Sequence, residues 1–215
     1  KLFDYLKDTN KTYEFEALFG YESDSFDIDT DVREVDSINL NLLQDELQKG
    51  INCLTGKIKQ TPPIYSAIKV DGKRLYKYAR QDKNVDIPER VVEVSSFNLL
   101  NFENNKAKFS ATVSKGTFIR SLAVDLANYL GTKAVVSSIV RTDIGDLNIQ
   151  NSVTIDKIDK FPENDYPTPL EWTKLFNLPV ISVNDELVKE IKNGSFLPND
   201  IFNENNVSII ENMNR

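Results

Sequence analysis

The 215-residue chain is long enough for one domain and a small appendage, carries a net charge of -7 and contains no histidine. Ser-His-Asp and Cys-His catalysis are therefore excluded, and an enzyme of this composition would work with carboxylates, Tyr, Lys, Arg or hydroxyls. A single cysteine, Cys53, together with the lack of a long apolar run or a signal-peptide pattern, predicts a soluble cytoplasmic protein without an internal disulfide.

The first clear element in chain order is a strand. The opening residues Lys1–Leu6 have no start methionine and are typical of the end of an element that begins upstream. From Thr12 to Phe19 apolar and polar residues alternate, which predicts a half-buried strand with Tyr13 on its inward face. A core tyrosine is the ordinary interpretation of Tyr13, although its phenol would need a partner or a ligand to face.

An acidic loop follows this strand. Its four aspartates are Asp24, Asp27, Asp29 and Asp31. The central glycine and the distal glutamate of a calcium-binding EF-hand loop are missing, so the pattern favours a solvated acidic loop over a cation site. Apolar residues from Leu40 to Ile51 then recur at helical spacing and predict an amphipathic helix that ends between Gly50 and Gly56.

Positive charge is concentrated in residues 57–83, here termed the cationic segment, with eight basic and two acidic side chains in an otherwise acidic chain. Pro62-Pro63 predicts an extended backbone, and Asp71-Gly72 predicts a turn. The stretch 73–81 predicts a helix that places Leu75 inward.

The cationic segment also carries aromatic residues, namely Tyr65, Tyr76 and Tyr78. The basic residues that alternate with them, and that we assign to phosphate binding, are Lys69, Lys73, Arg74, Lys77 and Arg80. Basic and aromatic side chains together are typical of surfaces that grip phosphates and stack on unpaired nucleobases. The alternative is a solvated helix with ordinary core tyrosines, but the acidity of the remaining chain favours RNA.

Two strands and a helix follow the cationic segment. Val91–Phe102 and Lys106–Val113 predict a hairpin, and Ser114–Ser121 predicts a turn from its second strand into a helix capped by Gly131. Such a turn presents backbone N–H groups to a phosphate or a carboxylate.

Arg120 begins an apolar line along the predicted helix, whereas Ser121, Asp125 and Asn128 mark its expected solvent face. A half-buried guanidinium needs an acidic partner, because a lone buried charge is costly to desolvate. A structural salt bridge is the ordinary explanation for such an arginine.

The rest of the chain predicts smaller elements. Ala134–Arg141 has the pattern of a short apolar strand, and Asp185–Asn193 that of a short helix closed by Gly194. A linker between them is indicated by four prolines, Pro162, Pro167, Pro169 and Pro179.

Two long motifs with matching order and spacing carry a resemblance to a known family. The first consists of Pro62-Pro63, Tyr65-Ser66-Ala67, Lys69, Gly72, Tyr76 and Ala79-Arg80, and the second is Ser114–Arg120. They resemble the bacterial tRNA pseudouridine synthase B family, and the resemblance extends over residues 1–150.

The resemblance implies an α+β fold, with a catalytic domain in residues 1–160 that has a curved, mixed, largely antiparallel sheet and flanking helices. A linker at 161–178 and the start of a small RNA-binding, PUA-like domain at 179–215 would follow. The implied enzyme is a monomeric isomerase without metal or cofactor that acts on the T arm of tRNA. It flips uridine-55 into a pocket, where an aspartate attacks and the base rejoins through carbon 5.

The resemblance also assigns roles to individual residues. Tyr13 matches the tyrosine that stacks on the flipped base and helps to remove the carbon-5 proton, and Arg120 matches the arginine paired with the catalytic aspartate. Phe118 and Ile139 match residues that wall the pocket, with Phe118 in place of a frequent tyrosine.

The nucleophile is where the sequence departs from the family pattern. The aspartate of the family lies in a Gly-x-Leu-Asp-Pro motif, and no Leu-Asp-Pro occurs in these 215 residues. We expect this motif upstream of Lys1, in a longer protein. An RNA-binding module that has lost its chemistry is the main alternative, although phosphate binding alone requires neither Tyr13 nor Arg120. A carboxylate-based glycosidase is a third interpretation, but no pair of acids is distinguished by its context.

Overall fold

The computed structural model describes Leu6 and residues 9–40, 43–81, 83–158, 180–181, 185–195 and 207–208. Contacts divide the chain into two compact units, Lys1–Ser152 and Val153–Arg215. The predicted linker at residues 161–178 lies outside the described residues, so the predicted domain boundaries stay a prediction.

The first unit is built on a six-stranded sheet in which every pair of neighbours is antiparallel. In spatial order the strands are β10 (Leu147–Asn148), β9 (Ala134–Ile144), β1 (Lys11–Phe19), β8 (Lys106–Val113), β7 (Arg90–Glu103) and β4 (Gly56–Gln60). The strand that comes first in sequence, β1, therefore lies in the middle of the sheet, between β8 and β9. The predicted α+β fold with a largely antiparallel sheet is confirmed.

Within the described residues, three short strand pairs accompany this sheet: β2 (Tyr21–Glu22) with β3 (Arg33–Glu34), β5 (Lys69–Val70) with β6 (Lys73–Arg74), and β11 (Val180–Ile181) with β12 (Val207–Ser208). The turn between β5 and β6 has positive φ angles at Asp71 and Gly72, 50° and 76°, which match a type I′ hairpin turn. The turn predicted there is confirmed. The helix after it is shorter than predicted, because Lys73 and Arg74 pair with β5 instead of joining it.

The α-helices in the described part of the chain are α1 (Gln44–Cys53), α2 (Leu75–Ala79), α3 (Ile119–Tyr129), α4 (Ile155–Ile158) and α5 (Asp185–Lys192). α3 ends before Gly131, whose φ of 75° is the left-handed conformation expected of a C-terminal cap. None of the helices in the described part of the chain has the length and apolar character needed to cross a lipid bilayer.

The core lies between one face of the sheet and the helices α1 and α3. Phe15, Ala17 and Phe19 of β1 are buried on this face, and Tyr13 is half-buried beside them, so the predicted inward face is confirmed. Phe15 stacks on Phe109 of β8 with ring centroids 5.2 Å apart. The opposite face is polar, since Glu14 and Glu16 form ion pairs there with Lys108 and Lys106 of β8 at 2.8 and 2.7 Å.

Candidate active site and RNA interface

Arg120 is held at the start of α3 by three acceptors. Its Nη1 donates to Oδ2 of Asp27 at 2.6 Å and to the Ser25 carbonyl at 2.7 Å, and its Nη2 donates to the Tyr65 carbonyl at 2.9 Å. Both charged side chains are about one-fifth exposed, at 21% for Arg120 and 19% for Asp27. The acidic partner that the sequence required for Arg120 is therefore Asp27 in the structure.

The Asp27 carboxylate is itself fully engaged. Besides Arg120, it accepts hydrogen bonds from the Ser25 hydroxyl and from the Asp29 N–H at 3.0 Å. The loop is fixed to the sheet by an isolated bridge between Asp27 and Val136 of β9. The prediction of a solvated loop is thus wrong for Asp27, because the tertiary contact with Arg120 removes it from solvent, whereas Asp24, Asp29 and Asp31 are exposed.

A guanidinium has five N–H donors, and the contacts of Arg120 use three of them. Among the described residues, no hydrogen bond is made by its Nε–H or by one of its Nη2–H groups. Two N–H donors of Arg120 are therefore not used by the described residues, while Asp27 fixes the orientation of the guanidinium.

Phe118 occupies the N-cap position of α3, and Gln60 at the end of β4 binds its backbone. The Phe118 N–H donates to Oε1 of Gln60 at 2.8 Å, and Nε2 of Gln60 donates to the Phe118 carbonyl at 3.2 Å. The motif Ser114–Arg120 therefore forms the predicted entry from a strand into a helix. Its backbone is held by a side chain from the cationic segment.

Tyr13 and Ile139 lie on the same face of the sheet. Ile139 of β9 is opposite Phe15 in the register, and Tyr13 is two residues before Phe15 on β1. Arg141 is opposite Tyr13 and also points to this face. Ile139 is 42% exposed and Tyr13 is half-buried, so this part of the face is open among the described residues. No hydrogen bond to the Tyr13 hydroxyl is described.

The ion pair between Arg120 and Asp27 links the start of α3 to strand β9. Arg120 and Phe118 share the first turn of α3, and Asp27, the partner of Arg120, is bridged to β9 three residues before Ile139. The structure thus places Phe118 and Arg120 together at the start of α3, whereas Tyr13 lies near the beginning of β1 and the Asp27 bridge is at Val136, opposite Ala17 of the same strand. Sequence reasoning missed Asp27, Gln60 and Arg141, because each is distinguished only by contacts or register with residues far away in the chain.

The cationic segment presents most of its predicted phosphate-binding side chains to solvent. Four of them are exposed: Lys69, Arg74, Lys77 and Arg80. Lys73 is half-buried, and its Nζ lies 4.4 Å from the ring centroid of Tyr78. Lys73 also donates to the Gln81 side chain. The Tyr76 ring is accompanied by two guanidinium groups, with Cζ of Arg74 at 6.0 Å and Cζ of Arg80 at 5.6 Å from its centroid. This surface therefore combines cations with aromatic rings, as the sequence predicted.

A cavity of about 730 Å³ lies beside α3. Its lining includes Phe26, Tyr65, Ser121, Asp125 and Lys133. Of the predicted site residues, Tyr65 alone lines this cavity. Tyr13, Phe118, Arg120 and Ile139 do not contribute to its wall.

Two residues of α3 are less exposed than predicted. Ser121 is 2% exposed and donates to the Thr61 carbonyl at 2.9 Å, and Asp125 is half-buried. The predicted solvent face is therefore wrong for Ser121, which is held against the Thr61 carbonyl, and for Asp125, whereas Asn128 is exposed as predicted. Burial raises the pKa of the Asp125 carboxyl to about 6, and the nearby Gln60 side chain opposes this shift. Among the described residues, no cluster of three or more potential metal ligands is present.

Comparison with known proteins places these features in a family. The model of the TruB family pseudouridylate synthase N-terminal domain matches residues 1–119. The tRNA pseudouridine synthase B of Bacillus cytotoxicus is 35% identical over 94% of this chain and 68% of its own length. That of Bacillus subtilis is 32% identical over 92% of this chain and 66% of its own length.

Solved structures show a similar fold. A chain in the crystal structure of a Cbf5-Nop10-Gar1 complex aligns with a TM-score of 0.55 and 20% identity, over 91% of this chain and 52% of that chain. The chain described here thus spans about two thirds of the length of its curated relatives and about half of that solved chain. The two motifs, the antiparallel sheet and the relatives agree, and the chain belongs to the TruB family of pseudouridylate synthases.

Proposed function

We propose that the protein containing this chain converts uridine-55 in the T loop of tRNA into pseudouridine. The observation that carries the proposal is the state of Arg120, which Asp27 and two backbone carbonyls hold in place while two of its N–H donors have no described partner. A purely structural salt bridge would require Arg120 to be held in place, but it would not require unused donors. The two unused N–H donors provide a place for another carboxylate, the nucleophile that the reaction requires.

The nucleophile in this proposal is the aspartate of a Gly-x-Leu-Asp-Pro segment that precedes Lys1 in the full-length protein. Asp27 is less suited to that role, because the described contacts of its carboxylate hold it to Arg120 and to its own loop. Tyr13 stacks on the flipped uracil and helps to remove the carbon-5 proton, whereas Phe118 and Ile139 wall the base pocket. The implied reaction needs neither a metal nor a cofactor.

The second candidate is an RNA-binding module without catalytic activity, which the exposed cationic segment favours equally. Tritium release distinguishes the two. The full-length protein is expected to release tritium from carbon-5-labelled uridine-55 in a T-arm hairpin, and the 215-residue chain is expected to release none. A full-length protein that binds the hairpin without releasing tritium would favour the binding module. Release by the 215-residue chain would place the nucleophile among its own carboxylates.

Removing single cations from the cationic segment is expected to weaken the salt dependence of T-arm binding. Lys77→Ala should flatten the slope of log affinity against log salt by roughly 0.7–0.9, the value expected for one lost phosphate contact. Arg74→Ala and Arg80→Ala should act similarly. Lys73→Ala should have a smaller effect, because Lys73 is half-buried and bound to Gln81.

The matched control is Lys108→Ala, which removes a cation from the polar face of the sheet, where Lys108 pairs with Glu14. Its salt slope should equal that of the wild type. If the Lys77 and Lys108 variants had the same slope as the wild type, the RNA would bind elsewhere on the protein.

A further inference from the structure

Gln60 is a polar residue in a buried position. It ends β4 and is 2% exposed, whereas the two lysines before it, Lys57 and Lys59, point to solvent. Burial of a primary amide is costly unless its donor and acceptor are both used. The contacts of Gln60 must therefore offset the cost of burying its amide, and they indicate a specific role for this residue.

The Gln60 amide makes a two-pronged contact with the backbone of a single residue, Phe118. Oε1 accepts from the Phe118 N–H at 2.8 Å, and Nε2 donates to the Phe118 carbonyl at 3.2 Å. The same carbonyl accepts the first helical hydrogen bond of α3, from the Leu122 N–H at 3.0 Å. A phenylalanine side chain has no polar group with which to cap a helix. The amide of Gln60 thus fixes the point at which α3 begins.

Neighbouring contacts extend this arrangement along the chain. The Ser121 hydroxyl donates to the Thr61 carbonyl at 2.9 Å, and Nη2 of Arg120 donates to the Tyr65 carbonyl at 2.9 Å. Residues 60–65 therefore bind the backbone of Phe118 and the side chains of Arg120 and Ser121. Among these contacts, the one from Gln60 is the only one that acts on the backbone of α3.

We infer that Gln60 is a positioning residue for the base pocket, which holds the backbone of Phe118 so that its ring and the neighbouring Arg120 meet the flipped uridine in a fixed geometry. The inference rests on the proposed function. It extends that function to a residue that contacts neither the substrate nor the reacting atoms. A displacement of about 1 Å at such a site is enough to cost about 100-fold in rate.

Gln60→Met tests the inference in the full-length protein, because methionine has a similar length and no hydrogen-bonding group equivalent to the amide. We expect kcat to fall by about 10-fold to 100-fold and KM for the T-arm hairpin to stay within about twofold of the wild type. The matched control is Gln48→Met on the exposed face of α1, outside the cationic segment, which should change neither constant. Gln60→Glu is the second variant should the methionine variant fail to fold. It retains an acceptor for the Phe118 N–H, and its loss of kcat should be smaller.

Hydrogen exchange at the Phe118 amide provides a readout that does not depend on activity. Loss of the Gln60 acceptor should speed this exchange by about fivefold to tenfold, while exchange at Phe15 in the centre of the sheet stays the same. Unchanged exchange at Phe118 would overturn the inference, and so would faster exchange combined with an unchanged kcat. If the wild-type protein makes no pseudouridine, the proposed function fails instead, and the exchange result still shows whether Gln60 holds Phe118.

Discussion

Arg120→Met in the full-length protein is expected to lower the rate of pseudouridine formation by about 10²–10³-fold, the usual cost of removing one preorganised charged donor. Arg120 orients the nucleophilic aspartate in the proposed mechanism, and methionine replaces its unbranched aliphatic stem without its N–H groups. Arg120→Lys should restore little activity, because an ammonium cannot bind Asp27, the Ser25 carbonyl and the Tyr65 carbonyl in the same planar arrangement. Single-turnover tritium release measures the effect.

Loss of Arg120 also leaves the half-buried Asp27 without its ion-pair partner, so the variant should lose about 1–3 kcal/mol of stability. The double variant Arg120→Met with Asp27→Asn separates the two effects, because it removes the stranded charge. We expect this variant to regain stability and to remain inactive. Recovery of activity along with stability would show that Arg120 serves only to hold the loop. Arg33→Met is the control, since Arg33 pairs with Glu22 and Asp24 at an exposed site.

Tyr13→Leu is expected to reduce product formation by about 100-fold or more while T-arm affinity stays near that of the wild type. The residue lies on the inward face of β1 and is half-buried, and no described contact uses its hydroxyl. Tyr13→Phe should therefore leave the unfolding free energy within about 1 kcal/mol of the wild type, because no described hydrogen bond is lost.

Tyr78→Phe is the matched control for Tyr13. Its hydroxyl donates to the Val70 carbonyl at 3.2 Å, outside the proposed base pocket. This variant should lose some stability and retain catalysis, the reverse of the pattern expected for Tyr13. If Tyr13→Leu unfolded the protein and the remaining folded fraction had normal activity per molecule, Tyr13 would be an ordinary core residue.

Patterns of neighbouring residues in the sequence were sufficient to predict much of the fold. The alternation of residues 12–19 identified β1 and its inward face, and Asp71-Gly72 identified a turn that the structure forms with two positive φ angles. These predictions succeeded because strand faces and tight turns depend on neighbouring residues. The family was recognisable from the two motifs for the same reason, since each is continuous or nearly so in the chain.

Long-range contacts account for what sequence reasoning missed. Asp27 looks like any other aspartate of its loop until Arg120, far along the chain, binds it. Gln60 is 58 residues away from Phe118, whose backbone it binds, and Ser121 is held by the carbonyl of Thr61, which is 60 residues away. Helical periodicity identifies the polar face of a helix. It cannot show whether a contact with a residue far away in the chain will bury that face.

The central place of β1 in the sheet has a consequence for how the protein folds as it is synthesised. Its register partners on β8, Lys106 to Val113, lie about 90–100 residues further along the chain, and those on β9 come later still. At a translation rate of about 5–20 residues per second, the strand waits roughly 5–20 s for its first neighbour. During that time Phe15 and Phe19 have no sheet to pack in, and Glu14 and Glu16 supply the charges that oppose pairing with another nascent chain. The middle of the sheet is thus completed late, after β9 has been synthesised.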